Sequence, residues 1–549
     1  MDNALLLPAI FAWLRLFSAS SDAQTVPVTC GGTIHLPADG RPVEITTPNF
    51  PDKYPSNVFC KWTIHAPERK VVQVDALYFG LSSAKTSFLL LADKGVTSPS
   101  PQAISSAPGP LGWRSKTSTA EIGFASQAQS DGRGFWLSLR MAIANTDCVE
   151  KVAPKYNVSL DVEPRLRWRH VVADYPYLNI TTYGMLNVFN FFADGSFYPF
   201  NGNFSPDRKR IVEDYLNRLP LDLRQELEGI AEFSNVSKEF ITMANIVYEI
   251  VTFCTSIVAS DINGKPIHGR NLDFRGTPLL RDETIHVDFV RKINGVQQIV
   301  YSAVTVAGSI SLMTAQKPGV FTYSLNRRIT KTGHGMEDAT LNFDVFRNTS
   351  STVLLSMVRQ ALETATTYEG AVEQFSRAWL PSPCYLIIGG TRENEGVILT
   401  RDRDRPVDVH PIDVRQGRWY VAQTNTDRWL PFDNKTDPFS AQNRLEIAER
   451  ALNRTTRRNI NFKTMFDVIG TNAVYNHATV FSTVMSASNP SAMETRIRCP
   501  LPAATPGTPG IKNPQASGPS GRPLTAGANR SVTSTLMSIF TMMSAVLLT

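Results

Sequence analysis

The chain has 549 residues, 42% hydrophobic and 19% charged, a globular balance that excludes wholesale disorder and implies several domains. Its net charge of +6 (55 basic, 49 acidic residues) includes no Lys/Arg run able to track a phosphate backbone, so no nucleic-acid partner is expected. No apolar run reaches the ~20 residues of a spanning helix, and six cysteines are too few for a disulfide-dense scaffold. Residues 1–23 hold the apolar run Leu5–Phe17 and then small residues up to Ala23. They read as a secretory signal peptide, although Asp2 stands where a positive charge is usual. Sequons agree with that compartment: Asn157, Asn179, Asn235, Asn348 and Asn453 are the expected glycan acceptors. Asn203, Asn434 and Asn529 also sit in sequons, Asn203 weakened by Pro206.

Residues 30–145 alternate short β-rich runs with turns: Trp62–Ala66, Val71–Leu77, Phe88–Ala92, Ala120–Ala125 and Phe135–Met141. The spacing predicts an antiparallel sandwich. Cys30-Gly31-Gly32, the run TPNFPDKYPSNVFCKW (Thr47–Trp62) and GRGFW (Gly132–Trp136) resemble the CUB domain family. The resemblance implies a Cys30–Cys60 disulfide and a protein or glycan ligand; the family's usual second disulfide is missing. Asp75 and Asp131 are the acidic residues to weigh as calcium ligands, against the plainer reading as solvated carboxylates. Such a module implies binding, not chemistry. Removing residues 24–147 is expected to change location and spare turnover.

From Leu219 the apolar spacing is helical, with Pro220 suited to a first turn and a break at Ser234–Ser237. The pattern changes at Cys254. CTSIVASD reads as a strand, Asn263–Lys265 as a hairpin turn, and PIHGRNLDF as the returning strand. A cysteine here is ordinarily a core residue. Thr255 and Ser256, however, set polar atoms beside the thiol, and the hairpin returns Arg270 and Asp273 towards its start. An Arg–Asp pair there can hold a thiolate and orient a proton acceptor.

The stretches Cys254–Val258, His268–Asn271 and Asp273 resemble the acid ceramidase and N-acylethanolamine acid amidase family, lysosomal or secreted N-terminal-nucleophile cysteine hydrolases. The likeness extends to Pro154–Trp168, Ile387–Asp404, Gly417–Trp429 and Val474–Arg498. It implies a four-layer αββα sandwich following the all-β CUB sandwich. It also implies one precursor giving a small α subunit (148–253) and a large β subunit (254–499) by cleavage between Phe253 and Cys254. Cys254 would be the nucleophile, its freed α-amine the base, Arg270 and Asp273 tuning groups, and Asn425 the oxyanion donor. No cofactor or metal is implied. The substrate implied is an N-acyl lipid, ceramide or N-acylethanolamine, met by peripheral contact with a membrane surface; the apolar run Tyr183–Phe200 suits an acyl-chain channel.

Two positions depart from the family pattern. Its Asp-Asp-Arg-Arg-Thr stretch after QTN, whose first Arg belongs to the active-site network, is replaced by FDNKTDPF (Phe432–Phe439), leaving Asn434 or Lys435 for that Arg. Arg327 stands where the family has Glu. The resemblance gives Cys148 a linking role, but its usual partner position near Leu445 is not a Cys; Cys148–Cys499 with Cys384 free is one pairing, and the sequence leaves the pairing of these three open. Two alternatives differ in what they predict. An inert secreted CUB-containing binding protein on a hydrolase scaffold predicts no cleavage before Cys254. A hydrolase of non-lipid amides, such as penicillin or bile-salt conjugates, predicts activity without an apolar channel. Finally, residues 500–549 join a Pro/Gly/Ser-rich linker to the apolar tail Leu536–Thr549. Small residues at Ala526–Ala528 fit a lipid-anchor signal; the signal segment and the family resemblance together imply the secretory pathway, ending in a lysosome or outside the cell.

Overall fold

Along Phe59–His65 and Ser87–Asp93, buried and less buried side chains alternate, the signature of strands with one face on a core. The computed structural model describes residues 29–81, 87–94, 102–105, 109–110, 112–126, 132–144, 148–176, 178–179, 182–183, 186, 206–250, 253–274, 277–328, 345, 351–430, 441–489 and 491–499. The expected signal segment 1–23, Asp131, Asn203, Asn348, the 431–440 segment with Asn434 and Lys435, most of Tyr183–Phe200 and the 500–549 tail lie outside them.

The first unit holds β1 (Thr29–His35), β2 (Val43–Thr46), β3 (Phe59–His65), β4 (Val71–Gly80) and β5 (Ser87–Asp93). It continues with β6 (Gln102–Ile104), β7 (Trp113–Arg114), β8 (Thr119–Ser126) and β9 (Gly134–Ala142). A five-stranded sheet (β1-β3-β8-β5-β6) faces a four-stranded one (β2-β9-β4-β7), with Trp62, Ile64, Val74, Phe124 and Phe135 buried in the core. The expected sandwich is therefore present, with one difference: β1 runs parallel to β3. Cys30 and Cys60 face each other in that register and are disulfide-bonded. Gly31 has φ 123°, and a Cβ there would lie 1.9 Å from the Lys61 carbonyl oxygen, so the Cys-Gly-Gly motif is what lets these strands meet.

The second unit has two larger sheets. The six-stranded sheet contains β10 (Lys151–Val152), β12 (Phe253–Ser260), β13 (Pro266–Asp273), β21 (Tyr420–Gln423), β22 (Thr479–Met485) and β23 (Met493–Ile497). The eight-stranded sheet contains β11 (Lys155–Ser159), β14 (Thr284–Ile293), β15 (Val296–Val306) and β16 (Thr314–Lys317). Its remaining strands are β17 (Phe321–Arg327), β18 (Cys384–Gly389), β19 (Gly396–Arg401) and β20 (Pro406–Pro411). Val258, Tyr385, Ile387 and Ile398 pack between the sheets.

Helices cover both outer faces. They are α1 (Arg169–Ala173), α2 (Pro206–Arg218), α3 (Leu221–Ser234), α4 (Lys238–Ile250), α5 (Thr277–Asp282), α6 (Leu354–Thr364), α7 (Tyr368–Arg377), α8 (Ala441–Asn459) and α9 (Phe462–Ile469). Ile257 and Ala259 of β12 pack under α8 and α9, while Leu355, Val358 and Phe375 of α6 and α7 share a cluster with Leu325 and Leu386. This is the four-layer αββα order. One strand departs from all-antiparallel pairing: β11 runs parallel to β14, because a helical crossover separates them. Pro220 caps α3 instead of lying in its first turn, and Asn235, left-handed at φ 53°, ends it inside the expected break.

Candidate active site

Helix α4 ends at Ile250, and β12 begins at Phe253–Cys254, so the cysteine stands where helix passes into strand. The turn to β13 spans residues 261–265, longer than the Asn263–Lys265 turn expected. Asp261 closes it by accepting from the backbone N–H of Asn263 and Lys265, with Gly264 at φ 74°. The register sets Phe253 opposite Asp273, Cys254 opposite Leu272 and Ser256 opposite Arg270. Because faces alternate along a strand, Arg270 shares the inter-sheet face with Cys254, and Asp273 turns to the helix face.

Cys254 is fully buried, and both of its backbone polar groups are held by side chains. Its N–H donates to Asn425 Oδ1 (3.0 Å), and its carbonyl accepts from Arg444 Nη1 (2.8 Å). Arg444, on α8, also donates to Asn425 Oδ1 (2.8 Å) and Thr255 Oγ1 (3.0 Å), and lies 3.4 Å from Asp273 Oδ2. Asp273 further accepts from Thr479 Oγ1 (2.7 Å) and Asn476 Nδ2 (3.0 Å). Burial nevertheless pushes its carboxyl above the ordinary range, opposed by Arg444 and these donors.

On the other face, Arg270 Nη1 donates to Asn326 Oδ1 (2.5 Å) and Ser256 Oγ (3.2 Å). Its Nε and Nη2 are buried without a hydrogen-bond partner among the described residues, leaving two donors for developing negative charge. His268 lies one turn of the pleat away, bonded to Thr322 and Ser324 (3.0 and 2.8 Å); burial and then Arg270 bring its pKa down to about 3. A buried cysteine flanked by two arginines, an amide and a carboxyl is equipped for nucleophilic attack on a carbonyl with charge stabilisation.

Comparison with known proteins agrees with this chemistry. Residues 30–139 match the CUB domain, and residues 254–448 match the linear amide C–N hydrolases of the choloylglycine hydrolase family. Acid ceramidase of Macaca fascicularis is 34% identical over 365 residues, covering 64% of this chain and 87% of the relative. The chain belongs to the acid ceramidase family. The Homo sapiens acid ceramidase is 33% identical over 364 residues, with the same coverage. A solved structure of the Caenorhabditis elegans N-acylethanolamine-hydrolyzing acid amidase ortholog is 38% identical, covers 44% of this chain and 95% of that one, and superposes with a TM-score of 0.38. As a family member, the protein is an amide hydrolase.

Within this acid ceramidase-like site, Cys254, Asn425 and Asp273 converge on Arg444, while Arg270 stands on the Cys254 face of the sheet. Three details differ from the sequence reading. The arginine–carboxylate pair is Arg444–Asp273, because Arg270 and Asp273 occupy opposite faces of the sheet. Asn425 does not offer its N–H to the site: two donors converge on Oδ1, and Nδ2 donates to the Arg327 carbonyl (3.0 Å). Asn434 and Lys435 lie outside the described residues; the arginine of the described network is Arg444, which enters from α8. Sequence reasoning missed it because it stands outside any motif, beyond the altered segment; its place beside apolar helix positions was the only signal.

Arg327 is buried, with its carbonyl in the network, and Arg328 forks onto Asp427 (2.8 and 2.9 Å). Asp75 is not solvated: it is fully buried, accepts from Gln73 and from the Gly112 N–H, and lies 3.5 Å from Arg140, while Asp131 lies outside the described residues. Cys148 and Cys499 are disulfide-bonded. Cys384 is free and buried, and burial pushes its thiol up to about 12. Asn157, Asn235 and Asn453 are exposed and Asn179 half-buried; Asn348 lies outside the described residues.

Proposed function

We propose that this protein is a self-processing cysteine amidase that hydrolyses the amide bond of N-acyl lipids, N-acylethanolamines or ceramides, to fatty acid and amine. The observation that carries the reading is the double grip on Cys254, its nitrogen on Asn425 and its carbonyl on Arg444, at a helix-to-strand junction. In the precursor the thiol attacks the Phe253 carbonyl carbon. A C–S bond forms, the Phe253–Cys254 C–N bond breaks, and the thiol proton passes to the departing nitrogen. Water then splits the thioester into a Phe253 carboxyl and a free thiol. The new α-amine stays against Asn425. With a pKa of ~7.7–8.0 it is partly neutral near neutral pH and accepts the thiol proton during turnover. Thiolate attack on the substrate amide releases the amine with that proton, and water frees the fatty acid from the thioester. Arg270, through its two unpaired donors, stabilises the oxyanion.

The acyl-lipid substrate class is supported by the relatives, named acid ceramidase and N-acylethanolamine-hydrolyzing acid amidase. The secretory pathway, ending in a lysosome or outside the cell, fits the disulfides and exposed sequons. No helix among the described residues is long and apolar enough to cross a membrane, and substrate is reached by peripheral contact. The test is intact-mass and N-terminal analysis of secreted wild type and Cys254→Ala at about pH 4.5–5, a range taken from the family resemblance. A chain beginning at Cys254 in wild type alone is expected. An uncut wild type with no turnover of N-acyl lipids would leave the inert-scaffold reading.

A further inference from the structure

The CUB module is joined to the hydrolase by a buried face. Leu77 and Tyr78 on β4 and Trp136 on β9 belong to the apolar cluster of hydrolase helices α2–α4, not to the module's own core. The Trp136 ring meets Tyr183 at 5.7 Å, and Tyr183 meets Phe240 of α4 edge-on at 4.7 Å. Trp136 Nε1–H donates back to Glu44 (2.8 Å), so its polar edge is satisfied on the module side. Beside this patch, Arg140 of β9 spans both units. Its Nε lies 3.5 Å from buried Asp75, and its Nη2 donates to Asp282 at the end of α5 (3.2 Å).

The preceding residue on α5 reaches the turn that flanks Asp273. Buried Arg281 donates from Nη2 to the carbonyls of Thr479 (2.9 Å) and His477 (3.5 Å). That turn carries Asn476 and Thr479, two of the donors that hold Asp273. Helix α5 has only six residues, too few to fix its own position, so its tertiary contacts set it: Leu280 is buried in the hydrolase cluster, Arg281 holds the 476–479 turn and Asp282 meets Arg140. Arg140–Asp282 is partly exposed and weak by itself; the apolar face supplies the anchoring and the ion pair the register.

We propose that the CUB module is a positioning part of the active site: docked through Tyr78, Trp136 and Arg140, it fixes α5 and thereby the 476–479 turn that holds Asp273. This rests on the reading in which Asp273 serves catalysis, and it replaces the expectation that the module can be removed without loss of turnover. Asp273 faces Arg444 from α8, Arg270 along its own strand, and Asn476 and Thr479 from the turn. Of these, only the turn depends on the module.

The test uses full-chain wild type, Tyr78→Ala, Asp282→Ala and the conservative Tyr78→Phe, which keeps the ring. Hydrogen exchange at 476–479 is expected to quicken at least fivefold in the two alanine variants and to stay at the wild-type rate in Tyr78→Phe. Self-cleavage and the kcat of the cleaved enzyme, on an N-acylethanolamine carrying a fluorescent amine, are expected to fall about fivefold with KM unchanged. The activity limb set by Asp273 is expected to move to higher pH, since a carboxylate that loses donors protonates more readily. Unchanged exchange at 476–479 overturns the proposal even if wild type proves inert. Unchanged kcat and pH limb in variants that merely melt earlier also overturn it and leave the module a tether. An inert wild type with quickened exchange sinks the amidase reading alone.

Discussion

The Arg444 guanidinium reaches the Cys254 carbonyl, Thr255, Asn425 and Asp273 at once, which requires a planar fork with several donors in fixed directions. Its removal leaves Asp273 buried without its nearest cation and frees the peptide that must be cut. Arg444→Ala is expected to slow self-cleavage by about 100-fold or more, read as the cleaved fraction against time by intact mass. Arg444→Lys restores little, because a point charge cannot serve both Asn425 and the Cys254 carbonyl; wild-type cleavage in either variant would remove Arg444 from the site. At this scale the sequence told which thiol and which amide to examine. It could not tell that Arg444 completes the set, because side chains far apart in the chain meet only when α8 lies across β12.

Strands β12 and β13 form the floor of the site, and their polar residues bridge to β17 between the sheets: Ser256 to Asn326, and His268 to Thr322 and Ser324. The hairpin was legible from its β-type runs; the opposite placement of Arg270 and Asp273 follows from their odd separation along one strand, and the register adds which residue of β12 each one faces. The bridge has a consequence for acid stability. His268 is neutral in the fold, with a pKa of about 3 against an ordinary value of 6.5. Between those values the unfolded chain binds a proton that the native state refuses, so stability falls as pH falls. The slope is about 1.4 kcal/mol per unit, roughly 2–3 kcal/mol by pH 4.5–5. Urea titrations from pH 7 to 4 are expected to show this loss, and His268→Asn to flatten it whatever the variant's absolute stability. An equal slope in both proteins would assign the acid limb to other groups.

For the whole molecule, the Cys148–Cys499 disulfide spans 351 positions and brackets the proposed cut before Cys254. Beside it, β10 pairs with β23, and Arg498 forks onto Glu150 at 2.8 Å. Cleaved protein is therefore expected to run as one band without reductant and two with it. In Cys148→Ser it should give two bands in both lanes; a single band that persists under reduction would mean an uncut chain. The sequence by itself determined the order of the units and their fold classes, and singled out Cys254 as the candidate nucleophile. Local motifs such as Cys-Gly-Gly and the cysteine-opened hairpin encode backbone geometry within a few residues. The tertiary structure alone decided that Arg444 joins the Cys254 network from α8, that Asp75 is buried against Gln73, Gly112 and Arg140, and that the CUB face is buried against hydrolase helices. Each of these depends on burial and on contacts between residues far apart in the chain, and hydrophobic periodicity carries no information about which distant partner will cover a given face.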